Sequence, residues 1–299
     1  MTGGGGTGSI SVMRVPSGLL LALCAAAPSL AAQRPAIPPV DSAKVVSLRL
    51  TDGASLTGRV IAGDDTSVTL LTFAAARVTL PHRSISSWRP QAGRTTATGF
   101  QPSDPNSSRL FFAPTARTLP RGRGFFADYY LFFPTAAVGV SDRVMLSGGM
   151  SIIPGISSQL IYLAAKVGVA QGPGAAFAVG GFWATVPDES DASLGMGYAV
   201  TTLGSEDHAV TLLAGYPFTT RQLAREPLFV VGGETRMSGR SKFMAELWKL
   251  PDESSVPALF GPRWFGDRLA VGFGLIYVLG SDGVDGWPFI PWVDFAVNW

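Results

Sequence analysis

The stretch PWVDFAVNW (291–299) decides the fold of this 299-residue chain. Its residues Val293, Phe295, Val297 and Trp299 fall at alternate positions, so an extended strand places them all on one face. The segment 268–279 repeats this pattern, with large apolar residues on one face and glycine or alanine on the other. Small residues do not make an ordinary solvated face, and this alternation is typical of a strand with one face toward lipid.

The stretch 291–299 also resembles the C-terminal signal of bacterial outer-membrane β-barrels, whose final strand ends in an aromatic residue preceded by alternating apolar residues. This resemblance implies that the last strand closes a barrel against the first, with Trp299 anchored at the membrane interface. It further implies the outer membrane of a Gram-negative-type bacterium as the location. The implied partners are outer-membrane lipid and the barrel-assembly machinery.

The composition agrees with a barrel. Hydrophobic residues make up 46% of the chain and charged residues 15%, which does not fit a disordered or polyanion-binding protein. No run of 18 apolar residues occurs, so no transmembrane helix is predicted, and 36 Gly and 22 Pro do not favour long helices. Without such helices, only a closed β-barrel can face lipid with all its backbone N–H and C=O groups hydrogen-bonded. One Cys and two His predict neither a metal site nor a cofactor.

Composition shifts divide the chain into five parts. The positive Arg14, a short apolar run and small residues near Ala32 are typical of a secretory signal peptide. We therefore predict a signal peptide with a possible N-terminal extension at 1–32 and a linker at 33–43. A small β module follows at 44–90, then a second linker at 91–107 and an outer-membrane β-barrel at 108–299.

The small module alternates with period two between turn signals such as Asp52-Gly53. Its stretches 50–53 (LTDG) and 58–60 (GRV) resemble those of Sm-like and SH3-like modules, which implies about five strands closing into a small barrel. We expect it in the periplasm, as a spacer or bound to a periplasmic or peptidoglycan partner. Nucleic acid is not expected, because the module lacks an interleaved basic and aromatic surface.

The C-terminal part is predicted to be all-β, an antiparallel up-and-down transmembrane barrel of about twelve strands. Short turns alternate with generally longer, more polar connections, as in outer-membrane barrels. The strands are expected to begin near Arg109, Gly124, Arg143, Ser157, Gly174, Ser193, Asp207, Pro227, Arg240, Val256, Arg268 and Trp287. The connection 119–124 is expected among the external loops. A change of parity at Pro134 predicts a bulge or bend in the second strand.

Charged and polar residues of these strands sit opposite the large apolar ones. A Lys or Arg facing lipid at mid-membrane costs about 2–4 kcal/mol, so these residues are assigned to the lumen. Acids and bases gathered in a narrow interior are expected to pair, which suits either a transport role or a plugged, rigid lumen. The predicted lumen-facing residues are Asp128, Tyr130, Lys166, Glu234, Glu246 and Asp294.

No catalytic residue is predicted. A barrel lipid hydrolase would need a His near the external leaflet, whereas His208 falls in a predicted periplasmic turn. The leading hypothesis is a narrow pore or small-solute transporter. The alternatives are a non-conducting structural or envelope-interaction barrel and, less favoured, a soluble periplasmic ligand-binding β protein or an outer-membrane lipid hydrolase.

Overall fold

The computed structural model describes residues 38–96, 99–187, 193–280 and 288–299. The predicted signal peptide lies outside the described residues. Among those described, no helix has the length and apolar character needed to cross a membrane. The chain forms two compact units, one ending at Arg89 and the other beginning at Pro90.

The first unit is a five-stranded sheet whose first four strands pair in antiparallel fashion. Its alternating apolar residues form one core that includes Val46, Leu48, Val60 and Leu70. In the Asp52-Gly53 turn, Gly53 has a φ of +88°, which favours glycine. The strands are β1 (Asp41–Leu50), β2 (Ser55–Gly63), β3 (Ser67–Thr72), β4 (Arg77–Pro81) and β5 (Ile85–Pro90), in the sheet order β4-β3-β2-β1-β5.

This sheet is open, so the expected closure into a small SH3-like barrel is not supported. A 3₁₀ turn at His82–Ser84 carries the chain from β4 to the far side of β1, where β5 pairs. Strands β4 and β5 therefore form opposite edges, and no pairing joins them within the described residues.

The second unit begins with a hairpin, β6 (Gly93–Thr96) and β7 (Gly99–Pro102), where a linker was expected. Twelve further strands form a closed antiparallel barrel, which confirms the predicted architecture. In chain order they are β8 (Gly124–Tyr129), β9 (Phe133–Gly139), β10 (Val144–Met150), β11 (Ile161–Gln171), β12 (Ala175–Thr185), β13 (Ser193–Gly204), β14 (His208–Thr219), β15 (Leu228–Ser238), β16 (Ser241–Lys249), β17 (Val256–Phe265), β18 (Leu269–Leu279) and β19 (Ile290–Asn298).

The strand count agrees with the prediction because two errors cancel. No barrel strand begins near Arg109, and the predicted second strand is in fact the hairpin of β8 and β9. The parity change read as a bulge at Pro134 is this hairpin's tight turn, where Tyr130 and Leu131 have φ of +57° and +64°. Two positive φ angles in succession reverse the chain within three residues.

The ends of the barrel differ in the length of their connections. The short-turn end carries the connections 140–143, 172–174, 205–207, 239–240 and 266–268. The opposite, long-loop end carries the tight β8–β9 turn and the longer connections that follow β10, β12, β14, β16 and β18. Residues 119–124 lie at the short-turn end, where the Arg121 N–H donates to Asp142 Oδ1 at 2.9 Å. The prediction grouped them with the longer connections of the opposite end, and this grouping is wrong because the β8–β9 hairpin was missed.

Strand β19 closes the barrel by pairing with β8. Gly124 and Trp299 exchange backbone hydrogen bonds of 3.0 and 3.3 Å, and the Trp299 ring covers the position that a Cβ of Gly124 would occupy. The outer surface is a belt of exposed large apolar side chains, among them Leu163, Val167, Phe177, Val179, Leu203, Val210, Leu212, Phe229, Val231, Phe243, Leu247, Phe273, Val293 and Val297.

Candidate functional site

The barrel lumen is filled by residues 104–119, here called the inner segment. This segment contains no strand, yet most of its side chains are buried. It contacts both β11 and β17, which lie six strands apart in a barrel of twelve and therefore on opposite walls. Only a position inside the lumen allows both contacts.

Arg109 of the inner segment forms a buried ion pair with the wall. Its Nη2 lies 2.7 Å from Asp294 Oδ1, and the Trp292 Nε1–H donates to the other carboxylate oxygen at 2.9 Å. The guanidinium carbon lies 5.7 Å from the ring centre of Phe125 and 5.1 Å from that of Tyr129, within cation–π range. The charge is thus enclosed by one carboxylate and two aromatic rings.

A second set of charges links the segment to β15, β16 and β17. Lys242 Nζ lies 2.9 Å from Glu234 Oε2 and 3.5 Å from Asp104 Oδ2, and Arg117 also pairs with Glu234. The fully buried Arg263 lies 3.5 Å from the same oxygen of Asp104. These charges alternate in sign, so each one has an opposite charge beside it inside the lumen.

Three wall side chains hold the backbone of the inner segment. Lys166 Nζ donates to the carbonyls of residues 108 and 115 at 2.9 and 2.8 Å. Glu246 accepts the N–H groups of Phe112 at 3.2 Å and Ala113 at 3.0 Å. Arg263 donates to the carbonyls of residues 106 and 109 at 3.3 and 3.1 Å. Backbone groups that no strand satisfies are thus satisfied by the wall.

The structure brings four of the sequence-predicted lumen residues onto the inner segment, namely Lys166, Glu234, Glu246 and Asp294. Tyr130 lies in the β8–β9 turn with its ring centre 4.9 Å from that of Trp292. Asp128 instead lies on the face of β8 opposite the buried Phe125 and Tyr129, where its Oδ1 accepts the Phe133 N–H at 3.2 Å. Phe125 and Tyr129 of β8 face inward, where their rings enclose Arg109.

Sequence reasoning missed the inner segment, although two glycines of the wall point to it. A Cβ at Gly232 would overlap the side chain of Leu110, and one at Gly274 would lie 3.3 Å from the ring of Phe111. Both glycines alternate with outward apolar residues and therefore face the lumen. Glycine at a lumen-facing strand position indicates that another part of the chain approaches the wall closely there.

A cavity of about 250 Å³ lies between the inner segment and the wall at the long-loop end. Its floor is Phe112, whose side chain is 55% exposed although it lies inside the barrel. We call this cavity the vestibule; its lining is Phe112, Glu246, Trp248, Leu250, Pro257, Ala258, Leu259, Ile276 and Trp292.

At the short-turn end, Asp207 binds Arg236 at 2.5 Å and also pairs with Arg94 of the β6–β7 hairpin. The exposed His208 lies beside them, its Nδ1 2.7 Å from the Thr235 hydroxyl. Over the described ranges, no group of three or more His, Cys, Asp or Glu is placed to hold a metal ion.

No protein-family model matches the chain, and no curated protein is similar to it in sequence. Among solved structures, a KdgM porin in complex with disordered oligogalacturonate matches at a TM-score of 0.42 and 9% identity, over 59% of this chain and 95% of that one. A NanC porin matches at 0.39 and 9%, over 59% and 96%. OmpT, an outer membrane protein of Vibrio cholerae, matches as a loop-deletion mutant at 0.35 and 12%, over 86% and 96%.

Proposed function

We propose that this chain is an outer-membrane barrel that acts as a narrow pore or small-solute transporter, with the inner segment controlling passage. The observation that carries the proposal is a charged lumen inside an apolar outer wall. Apolar belts of this extent are foreign to soluble proteins, which rarely expose contiguous apolar patches beyond a few hundred Å². The soluble periplasmic alternative is therefore disfavoured.

The shape of the inner segment supports a gating role. Near its start, the Ser103 hydroxyl donates to Glu206 at 2.5 Å, and near its end the Thr118 hydroxyl donates to the Asp142 carbonyl at 2.8 Å. Both partners lie in connections of the short-turn end, whereas Phe112 reaches the vestibule at the other end. The segment is therefore a loop that enters and leaves by one end, and it can withdraw without threading.

Short turns lie on the periplasmic side of outer-membrane barrels. We therefore place the short-turn end, and the first unit that precedes it in the chain, in the periplasm. The first unit is proposed to bind a periplasmic or peptidoglycan partner or to act as a spacer. The barrel-assembly machinery is proposed to recognise β19.

Planar-bilayer recording tests the pore. The double variant Arg109→Ser, Arg117→Ser removes two cations of the inner segment and leaves the wall intact. Breaking a buried pair costs roughly 3–5 kcal/mol, so the variant is expected to raise the open fraction of time at least about 100-fold over brief wild-type openings. Arg240→Ser, which loses the exposed pair with Asp267, is the matched control and is expected to resemble wild type.

The filled lumen itself favours a second candidate, a non-conducting structural or envelope-interaction barrel. In this case neither the wild type nor the double variant conducts, although both migrate as folded barrels in unboiled SDS gels. Absence of conductance in both would exclude the pore and leave the structural role.

A further inference from the structure

The vestibule has the features of a ligand site rather than of an unfilled gap. We infer that it binds a small neutral aromatic molecule of one or two fused rings. This goes beyond the proposed pore, because occupying the vestibule needs no passage through the barrel.

The aromatic walls of the vestibule are held in place before any ligand arrives. The Trp292 indole is oriented by its 2.9 Å hydrogen bond to Asp294, and the backbone of Phe112 is held by Glu246. The Phe112 ring centre lies 5.8 Å from that of Trp248 and 6.3 Å from that of Tyr129. A pocket whose rings are fixed loses little freedom on binding, which favours affinity.

The chemistry of the lining selects a neutral ligand. The one charged residue of the lining, Glu246, is fully buried, and its two carboxylate oxygens accept the N–H groups of Phe112 and Ala113. Both oxygens are therefore already occupied by backbone donors of the inner segment. Every other lining residue is apolar or aromatic, so a cation or an anion would lose its hydration without a partner.

The volume of the vestibule indicates the size of the ring system that fits against its walls. A protein cavity of about 150 Å³ lined by apolar side chains binds benzene. The roughly 250 Å³ available here accommodates one or two fused rings. Such a ring would cover Phe112, which is otherwise left 55% exposed in the mouth of the barrel, and burial of this apolar surface supplies the driving force.

The test is equilibrium dialysis of radiolabelled naphthalene against the full-length protein in lipid nanodiscs, with empty nanodiscs correcting for partition into lipid. We expect saturable binding of one naphthalene per chain. Trp248→Ala and Phe112→Ala should each weaken it about tenfold or more, since each removes an aromatic wall. Trp183→Ala is the matched control, because Trp183 lies at the same end on the outer surface and should leave binding unchanged.

Several outcomes would overturn the inference. One is naphthalene uptake no greater than that of empty nanodiscs; another is an equal loss in the Trp183 control. Competition by tetramethylammonium at similar concentrations would show a cation site instead. Phe112→Ala keeps the test decisive if the Trp248 variant fails to fold, because Phe112 belongs to no strand of the barrel. The assay needs no conductance, so a barrel that binds naphthalene but does not conduct would refute the pore alone.

Discussion

The ion pair between Arg109 and Asp294 should control how firmly the inner segment is held in the lumen. The two side chains are 6% and 1% exposed, with their charged atoms 2.7 Å apart. Arg109→Ala leaves a buried carboxylate without its cation, which costs roughly 3–5 kcal/mol. Because the barrel hydrogen bonds are untouched, this cost should appear as release of the segment rather than as unfolding of the barrel.

The release can be measured by thiol labelling. Ser108→Cys, in a chain with Cys24→Ser, places one thiol in the inner segment. Ser108 is buried, and among the described residues its hydroxyl has no hydrogen-bond partner, so the replacement is mild. Because the thiol reacts only when the segment is released, Arg109→Ala should speed maleimide labelling from about 10²-fold to several thousandfold.

A double-mutant cycle assigns the effect to the pair. Arg109→Ala and Asp294→Ala, alone and together, should give a coupling energy of roughly 1–3 kcal/mol, as expected for residues in contact. Arg240→Ala, which loses an exposed pair, should change labelling less than about fivefold. Acceleration below tenfold in the Arg109 variant, or additivity within about 0.5 kcal/mol, would refute the reasoning.

Three further substitutions test the packing. Gly232→Ala should loosen the inner segment and speed its thiol labelling, because the added Cβ would overlap a leucine of that segment. The control Gly233→Ala adds a Cβ in ordinary van der Waals contact and should not. Equal labelling rates in the two variants would contradict this account. Gly124→Ala should reduce the yield of heat-modifiable folded barrel in SDS gels, because the added Cβ would overlap the Trp299 indole that follows the closing strand. The control Gly174→Ala places its Cβ in open space. Equal yields of the two variants would refute this account of how β19 and β8 close the barrel. Leu48→Ala should destabilise the first unit by about 2–5 kcal/mol in thermal melts, since this side chain is wholly buried, and a smaller loss would argue against the assigned core.

The outer wall of the barrel could be predicted because its signal is local. Alternation along a strand such as Leu269–Leu279 depends only on which face meets lipid. The same parity rule assigned Lys166, Glu234, Glu246 and Asp294 to the interior, and the structure has these four side chains buried. These four positions follow from one rule applied within single strands.

The contents of the lumen could not be predicted in the same way. Leu110 and Phe111 read as the start of a strand, because burial inside a lumen and exposure to lipid both call for apolar residues. The faces of β8 are reversed relative to the parity prediction for a related reason. Its large Phe125 and Tyr129 face the lumen, where they enclose an arginine. Contacts between residues distant in sequence determine what packs against each lumen-facing position of the wall. The periodicity of a single strand does not contain this information.

The pairing of Arg109 with Asp294 also orders the events of folding. The two residues are 185 positions apart, so the charge of Arg109 can be neutralised only after nearly the whole chain has been made. Contacts of such long range form late, because the entropy of closing the intervening chain must be overcome first. Full docking of the inner segment therefore waits for closure of the last strand, and a chain stalled before β19 keeps Arg109 without the carboxylate that pairs with it in the finished molecule.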